Sequence, residues 1–414
     1  MRVLFTPHTA RQHLYPLVPL AWACRAAGHE VQLATAPALA SDAGTTGLPT
    51  VEVGRDTPPT AVTQPSLTAQ FHEHPRFPAD WPLATNLLTD EQCTMLESLG
   101  RNCARAAAAQ VDDLVTFARH WRPDVIVHDL AGFAGAAAAA VLGVPAVRHL
   151  TGYGLRPMEY RVPGPGLLPA YAELFERFGV PAPETAVLTL DPSPPSLRIP
   201  VPSPWQEIRF LPFNGPGRLS AHLSDWLNQS RRPLVCVTWG HGVERTVLAL
   251  GSAALRPFRD AIDAVAGLDV DVIVVSTAAQ IAKLGDLPPA VRTAPSLPLS
   301  LVLPSCDLLV HQAGDGTALT AAACGVPQLT VTSKPDQALT SDRLATFGAA
   351  THLRYRDLQS DPARHEVIRS AAEKMLTDGA YRQGAERLRA EMDSQPTPAE
   401  LVPVLAGLTA RRAS

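Results

Sequence analysis

The sequence predicts an α/β protein of two doubly wound domains that face each other across a cleft. Three observations lead there: apolar runs of strand length alternate with segments of helical periodicity, the alternation occurs in two series, and a proline-dense stretch at residues 180–216 separates them. The 414 residues suffice for two domains of roughly 200, each able to bury its own core.

The first series opens with an apolar run at residues 2–6. Residues 16–27 then carry Leu17, Leu20, Ala21 and Cys24 at helical spacing before Gly28 stops them, and residues 30–34 read as the next strand. Strand, helix, strand at this spacing is a βαβ unit, which requires a parallel sheet with helices on its faces. The pattern resumes with a strand at 124–128, a small-residue helix at 132–142 and a run at 144–150. Between them, residues 54–100 are less regular and rich in Pro, Thr and His, and are expected to form substrate-shaping loops. Residues 131–147 carry no charge, but Gly143 and Pro145 interrupt them and they fall short of the roughly 20 apolar residues of a membrane span, so they read as a buried helix and strand.

The second series has strands at 233–238, 270–276, 307–310 and 328–331 with helical stretches between, then helices at 361–378 and 381–392. The expected organisation is a first domain at 1–213, a linker at 214–230 and a second domain at 231–395. A short terminal helix at 396–414 packs back on the first domain.

Composition narrows the function. Hydrophobic residues are 46% and charged residues 18%, as in a globular protein, and the net charge of −4 offers no footprint for nucleic acid. Six cysteines are scattered without a CxxC pair, which fits a reducing cytoplasm, and the N-terminus runs into a strand with no export signal in view.

Three constellations carry chemistry. His311-Gln-Ala-Gly-Asp-Gly-Thr317 lies between a strand and a helix, where glycines let backbone N–H groups approach a diphosphate and the helix N-terminus favours its charge. A ring nitrogen of His311 and the hydroxyl of Thr317 could add donors; an ordinary tight turn is the other reading. Lys334-Pro-Asp-Gln337 follows the next strand, and its carboxylate and amide match vicinal sugar hydroxyls, unless Asp336 is simply a helix cap. His13 follows the first strand and Asp129 ends the strand at 124–128, so both stand at the sheet edge where doubly wound folds bind ligands. A histidine oriented by a carboxylate suits a general base for a hydroxyl nucleophile; a structural histidine at a helix start is the alternative.

Together these segments resemble the two-domain GT-B glycosyltransferases of family 1, especially the bacterial group that moves deoxysugars from thymidine diphosphate onto polyketides and macrolides. The likeness covers nearly the whole chain. It rests on His13-Leu-Tyr-Pro-Leu-Val-Pro-Leu-Ala-Trp-Ala, Ala26-Ala-Gly-His-Glu-Val31, Phe213-Asn-Gly-Pro216, Leu303-Pro-Ser-Cys306 and Gly325-Val-Pro-Gln328, beside the glycine turn. The resemblance implies two Rossmann-like domains and an inverting, metal-independent transfer to a small natural-product aglycone. It makes His13 the base and Asp129 its partner, gives the diphosphate to His311 with Gly314, Asp315, Gly316 and Thr317, and gives the sugar to Asp336 and Gln337. Leu297 and Pro298 would contact the nucleobase, and Thr238, Gly240 and His241 would border the phosphates. No cofactor is expected beyond the nucleotide sugar co-substrate, and a homodimer is left open. Two departures bear on the donor: Ala313 and Asp315 stand where the group has Gly and a small neutral residue, and His241 with Gly242 where it has small hydroxyl residues. A nucleotide-sugar epimerase and a non-catalytic helper of a glycosyltransferase are the competing functions.

Other signals point away from metals and hydride transfer. Gly240-His-Gly242-Val-Glu-Arg245 lacks the third glycine of a dinucleotide fingerprint, Asp269-Val-Asp271 reads as solvated residues opening a strand, and His72-Glu-His74 reads as a surface loop without further ligands.

Overall fold

The computed structural model describes residues 1–58, 65–73, 77–152, 158–200 and 203–413. Two sheets form, and every strand pair in both is parallel. The first holds β1 (Arg2–Thr6), β2 (Glu30–Thr35), β3 (Thr50–Glu52), β4 (Val125–Asp129), β5 (Ala146–His149), β6 (Leu188–Asp191) and β7 (Trp205–Glu207) in the order β3-β2-β1-β4-β5-β6-β7. The second holds β8 (Leu234–Thr238), β9 (Asp271–Ser276), β10 (Val291–Pro295), β11 (Leu308–His311), β12 (Gln328–Thr332) and β13 (Ala350–Arg354) in the order β10-β9-β8-β11-β12-β13. Both orders reverse beside their first strand, which makes each sheet doubly wound with a switch point at β1/β4 and at β8/β11.

Central strands are buried on both faces, which explains their unbroken apolar runs: Val3, Leu4 and Phe5 in β1 and Val235, Cys236 and Val237 in β8 have no exposure. The uncharged segment after β4 is the buried helix Phe133–Leu142 leading into β5. Gly135 of this helix lies against β1, where an added Cβ would come within 2.0 Å of the Thr6 hydroxyl.

Four expectations need correcting. The proline-dense stretch contains β6 and β7, which complete the first sheet. These strands are only four and three residues long, so they show no period, and their prolines flank them. Pro204 has no donor but its carbonyl still accepts from Thr189 at 2.7 Å, consistent with its place beside an edge strand. The irregular stretch contains the helices Pro65–Glu73 and Asp90–Ala108, the latter opened by a capping box in which Thr89 and Gln92 exchange side-chain and backbone bonds. The expected linker contains the helix Ala221–Gln229, which carries Leu223, Trp226 and Leu227 into the core beside β8 and β9.

The terminal helix is Pro398–Ala413, 16 residues and not short. It buries Leu401, Val402 and Leu405 with Leu17, Leu20 and Cys24 of the first domain. Leu405 has no exposure, so Leu405→Ala should cost about 2–5 kcal/mol through lost burial and a cavity. A lowered melting temperature of the first domain in scanning calorimetry is expected; unchanged melting would detach this helix from that core.

Candidate functional site

Both switch points open on one cavity of about 340 Å³ between the sheets. On the first side, the chain leaves β1 and turns into the four-residue helix Arg11–Leu14, which carries His13. Asp129 ends β4, and β1 and β4 pair directly, so adjacency in the sheet brings together residues 116 positions apart. Nδ1 of His13 donates to Oδ2 of Asp129 at 2.5 Å. The carboxylate has no exposure and also accepts from the His8 N–H at 2.6 Å and the Ala131 N–H at 3.0 Å. Burial alone would raise the Asp129 pKa, but the charge and hydrogen bond of His13, with His8 and Ala131, hold it below the usual carboxylate value. With its proton on Nδ1, the neutral ring keeps its basic lone pair on Nε2.

On the second side, β8 runs into Gly240, which has φ +60 and whose carbonyl accepts from Gln280 at 3.2 Å. β11 runs through His311 into a turn in which Ala313 is left-handed at φ 64. That backbone costs about 1–2 kcal/mol for a residue with a Cβ. The Ala313 N–H donates to Nδ1 of His311 at 3.1 Å, which holds the turn in this shape. Nε2 of His311 then donates to Gln328 at 3.0 Å. Helix Asp315–Cys324 starts directly after; its Thr317 N–H donates to the Gly314 carbonyl at 3.0 Å, and the N–H groups of Asp315 and Gly316 stand at the helix start, where an anion is favoured.

The cavity is lined by His13 on one side and by Thr238, Gly240, His241, Leu297, Gly314, Asp315, Gly316, Thr317, Asp336 and Gln337 on the other. Asp129 supports His13 from behind. Two expected contacts do not form. His311 has no exposure, spends both nitrogens inside the protein and does not line the cavity, so it shapes the turn and does not offer a donor to a phosphate. Pro298 packs on Gly217, where an added Cβ would lie 2.1 Å from its ring, and leaves the cavity wall to Ser296, Leu297 and Leu299.

The signals set aside also find places. His72 lies in a helix, not a surface loop, and reaches the Thr246 hydroxyl at 3.1 Å; His74 is outside the described residues. Asp271 binds Ser230 at 2.5 Å and pairs with Arg232. No cluster of three or more His, Cys, Asp or Glu that could hold a metal occurs among the described residues, and none of their helices is long and apolar enough to cross a membrane.

Several lining residues were not singled out in the sequence. Gln312, Ser276 and Thr277 reach the wall from the ends of β11 and β9, and Gly152 and Lys334 border its acidic side. Asn214 bonds Thr320 at 3.0 Å and the Ser300 N–H at 3.1 Å, joining the two walls of the second domain. Asn214, Gln312 and Lys334 sit inside motifs the sequence shows and could have been found; Gly152, Ser276 and Thr277 carry no local signature. A second cavity of about 450 Å³ lies along helix Pro335–Phe347. It lacks His13 and the turn, and its Arg343 and Arg354 are engaged by Asp80 and Asp342.

Residues 22–240 match the N-terminal domain, and residues 259–408 the C-terminal domain, described as erythromycin biosynthesis protein CIII-like. The chain is 34% identical to the TDP-daunosamine transferase DnrS of Streptomyces peucetius, over 99% of this chain and 97% of that one. Among solved structures it is similar to the glycosyltransferase VinC in complex with dTDP (TM-score 0.79, 31% identity, 99% and 100% of the two chains). It is also similar to the spinosyn rhamnosyltransferase SpnG complexed with thymidine diphosphate (TM-score 0.77, 29% identity, 98% and 100%).

The buried imidazoles set an acid limit. Burial holds His72 and His311 down at about 3 and His128 and His149 at about 4, against about 6.5 in an unfolded chain. Between those values the unfolded chain binds more protons at these four sites, so they lose stability as pH falls below about 6.5, by roughly 1.4 kcal/mol per pH unit for each histidine, against which Asp315, raised by burial to about 7, gains a like amount. Melting temperatures measured from pH 7 down to 4.5 should fall progressively through this window. A flat profile would mean that these rings are hydrated and not buried.

Proposed function

The chain belongs to the erythromycin biosynthesis protein CIII-like family, a group of bacterial natural-product glycosyltransferases of the GT-B fold, and on that premise we propose an inverting transfer of a deoxysugar from a thymidine diphosphate donor to a hydroxyl of a natural-product aglycone. The observation that carries it is the placement of a carboxylate-bound histidine and a helix N-terminus on opposite walls of one cavity.

In this reading the acceptor hydroxyl hydrogen-bonds Nε2 of His13. As its oxygen attacks the anomeric carbon, the proton passes to His13 and Asp129 stabilises the imidazolium. The diphosphate leaves from the opposite face, so the configuration inverts. First-turn N–H groups of helix Asp315–Cys324 and the Thr317 hydroxyl take up the charge of the departing diphosphate, a task that needs no metal ion. Asp336 and Gln337 hold the sugar, Leu297 meets the base, and the turn at Gly240 and His241 borders the phosphates. The complexes of VinC with dTDP and of SpnG with thymidine diphosphate support thymine as the base.

Two measurements test the assignment. His13→Ala should lower kcat by about 10²- to 10⁴-fold while calorimetry still detects thymidine diphosphate binding. Unimpaired turnover would remove His13 from the reaction. Thr317→Ala should weaken thymidine diphosphate about tenfold, the loss of one hydrogen bond to a charged group, with or without magnesium. Failure of the unaltered protein to bind any nucleoside diphosphate, or turnover without an acceptor, would favour a helper protein or an epimerase respectively.

A further inference from the structure

The anion-binding wall belongs to the second domain, yet a guanidinium from the first domain reaches it. Arg11 stands two residues before His13 on helix Arg11–Leu14 and lines the same cavity. Its Nε donates to Asp42 of the first domain at 2.8 Å, and its Nη1 lies 3.5 Å from Nδ1 of His241 in the second. His241 follows Gly240, where an added Cβ would come 3.4 Å from Nε2 of Gln312 and 3.8 Å from the Thr317 hydroxyl. Arg11 is thus delivered to the end of the cavity where helix Asp315–Cys324 starts, and it shares one short helix with His13.

Support of the fold does not account for this guanidinium. The side chains of Arg11 and Asp42 are 40% and 21% exposed, and an ion pair that open to water adds little to stability. The approach to His241 is longer than the roughly 2.7–3.2 Å of a well-formed N–H bond, so Nη1 gives up little there by turning to a phosphoryl oxygen. An arginine fork matches such oxygens in charge and in geometry.

Charge points to the same ligand. Each phosphoryl group of a bound donor is ionised and the departing diphosphate gains a further charge, whereas a helix N-terminus is worth roughly half an elementary charge. Among the described residues lining the cavity, the lysines and arginines are Arg11 and Lys334. Lys334 stands at the start of helix Pro335–Phe347 beside Asp336, away from the turn at Gly240, so the cation at the phosphate end is Arg11.

Resting on the donor-site reading above, we propose that Arg11 is a further diphosphate-binding residue, supplied by the first domain and held at the phosphate turn by Asp42 and His241. Donor binding then ties the two domains together through the helix that carries His13.

The test is calorimetric titration with thymidine diphosphate at several salt concentrations. Arg11→Gln and, keeping the aliphatic stem, Arg11→Met should each weaken binding about tenfold or more, the range of a hydrogen bond between charged groups. Binding to both variants should also depend less steeply on salt than binding to the unaltered protein, because a partly exposed ion contact is missing. Arg11→Lys keeps the charge and should keep the slope. Affinity equal to that of the unaltered protein in a folded glutamine or methionine variant would overturn the proposal. So would weaker binding with an unchanged slope, the result of a bridge that merely holds the domains together, or a lysine variant whose slope is as shallow as the glutamine variant's. If the unaltered protein does not bind thymidine diphosphate, the donor site itself is wrong and this inference falls with it.

Discussion

The carboxylate of Asp129 is enclosed at the switch point of the first sheet and accepts from three directions: the His8 N–H after β1, the Ala131 N–H after β4 and the ring of His13. A buried carboxylate left unpaired costs several kcal/mol, so all three partners are held where they are by the need to satisfy it. Much of the first half of the cleft follows from this. Gly132 is required beside it, because a Cβ there would lie 2.8 Å from both Oδ1 of Asp129 and the Thr6 carbonyl. The His13 ring is oriented by the bond through its Nδ1.

The second domain repeats the topology and reverses the use of its histidine. Where His13 faces the cavity, His311 is turned into the core and spends both nitrogens on Ala313 and Gln328. Its effect is on backbone shape: it stabilises a left-handed alanine that would otherwise relax, and so aims the start of helix Asp315–Cys324 at the cavity. One fold thus brings a carboxylate-bound imidazole and a helix N-terminus to the same edge, because parallel strands end there together.

Contacts across the seam set the spacing of these two halves. Arg11 bridges Asp42 and, at 3.5 Å, His241, while Gly152 receives Asp315. Arg343 reaches Asp80 and the carbonyls of Leu197 and Arg198. The terminal helix crosses back to the first core. The two walls of the cavity are therefore held from several directions.

The sequence by itself determined the fold class, because burial on both faces leaves unbroken apolar strands, and helices that cover them leave a 3.6-residue period. It also showed the glycine turn and put His13 and Asp129 at strand ends, while their pairing was implied only by the family resemblance and is made by the direct adjacency of β1 and β4 in the folded sheet. The strands β6 and β7 escaped it, being too short to show a period among prolines. Only the tertiary structure decided which way side chains point at that edge. His311 and Pro298 carry the right chemistry at the right loop, yet packing turns one inward and presses the other on Gly217. Gly152 and Asp315 come from opposite domains 163 positions apart, and nothing local in either segment encodes their contact. The raised pKa of Asp315 is likewise a property of the folded chain, because burial and the approach of Asp336, 21 positions away, arise only there.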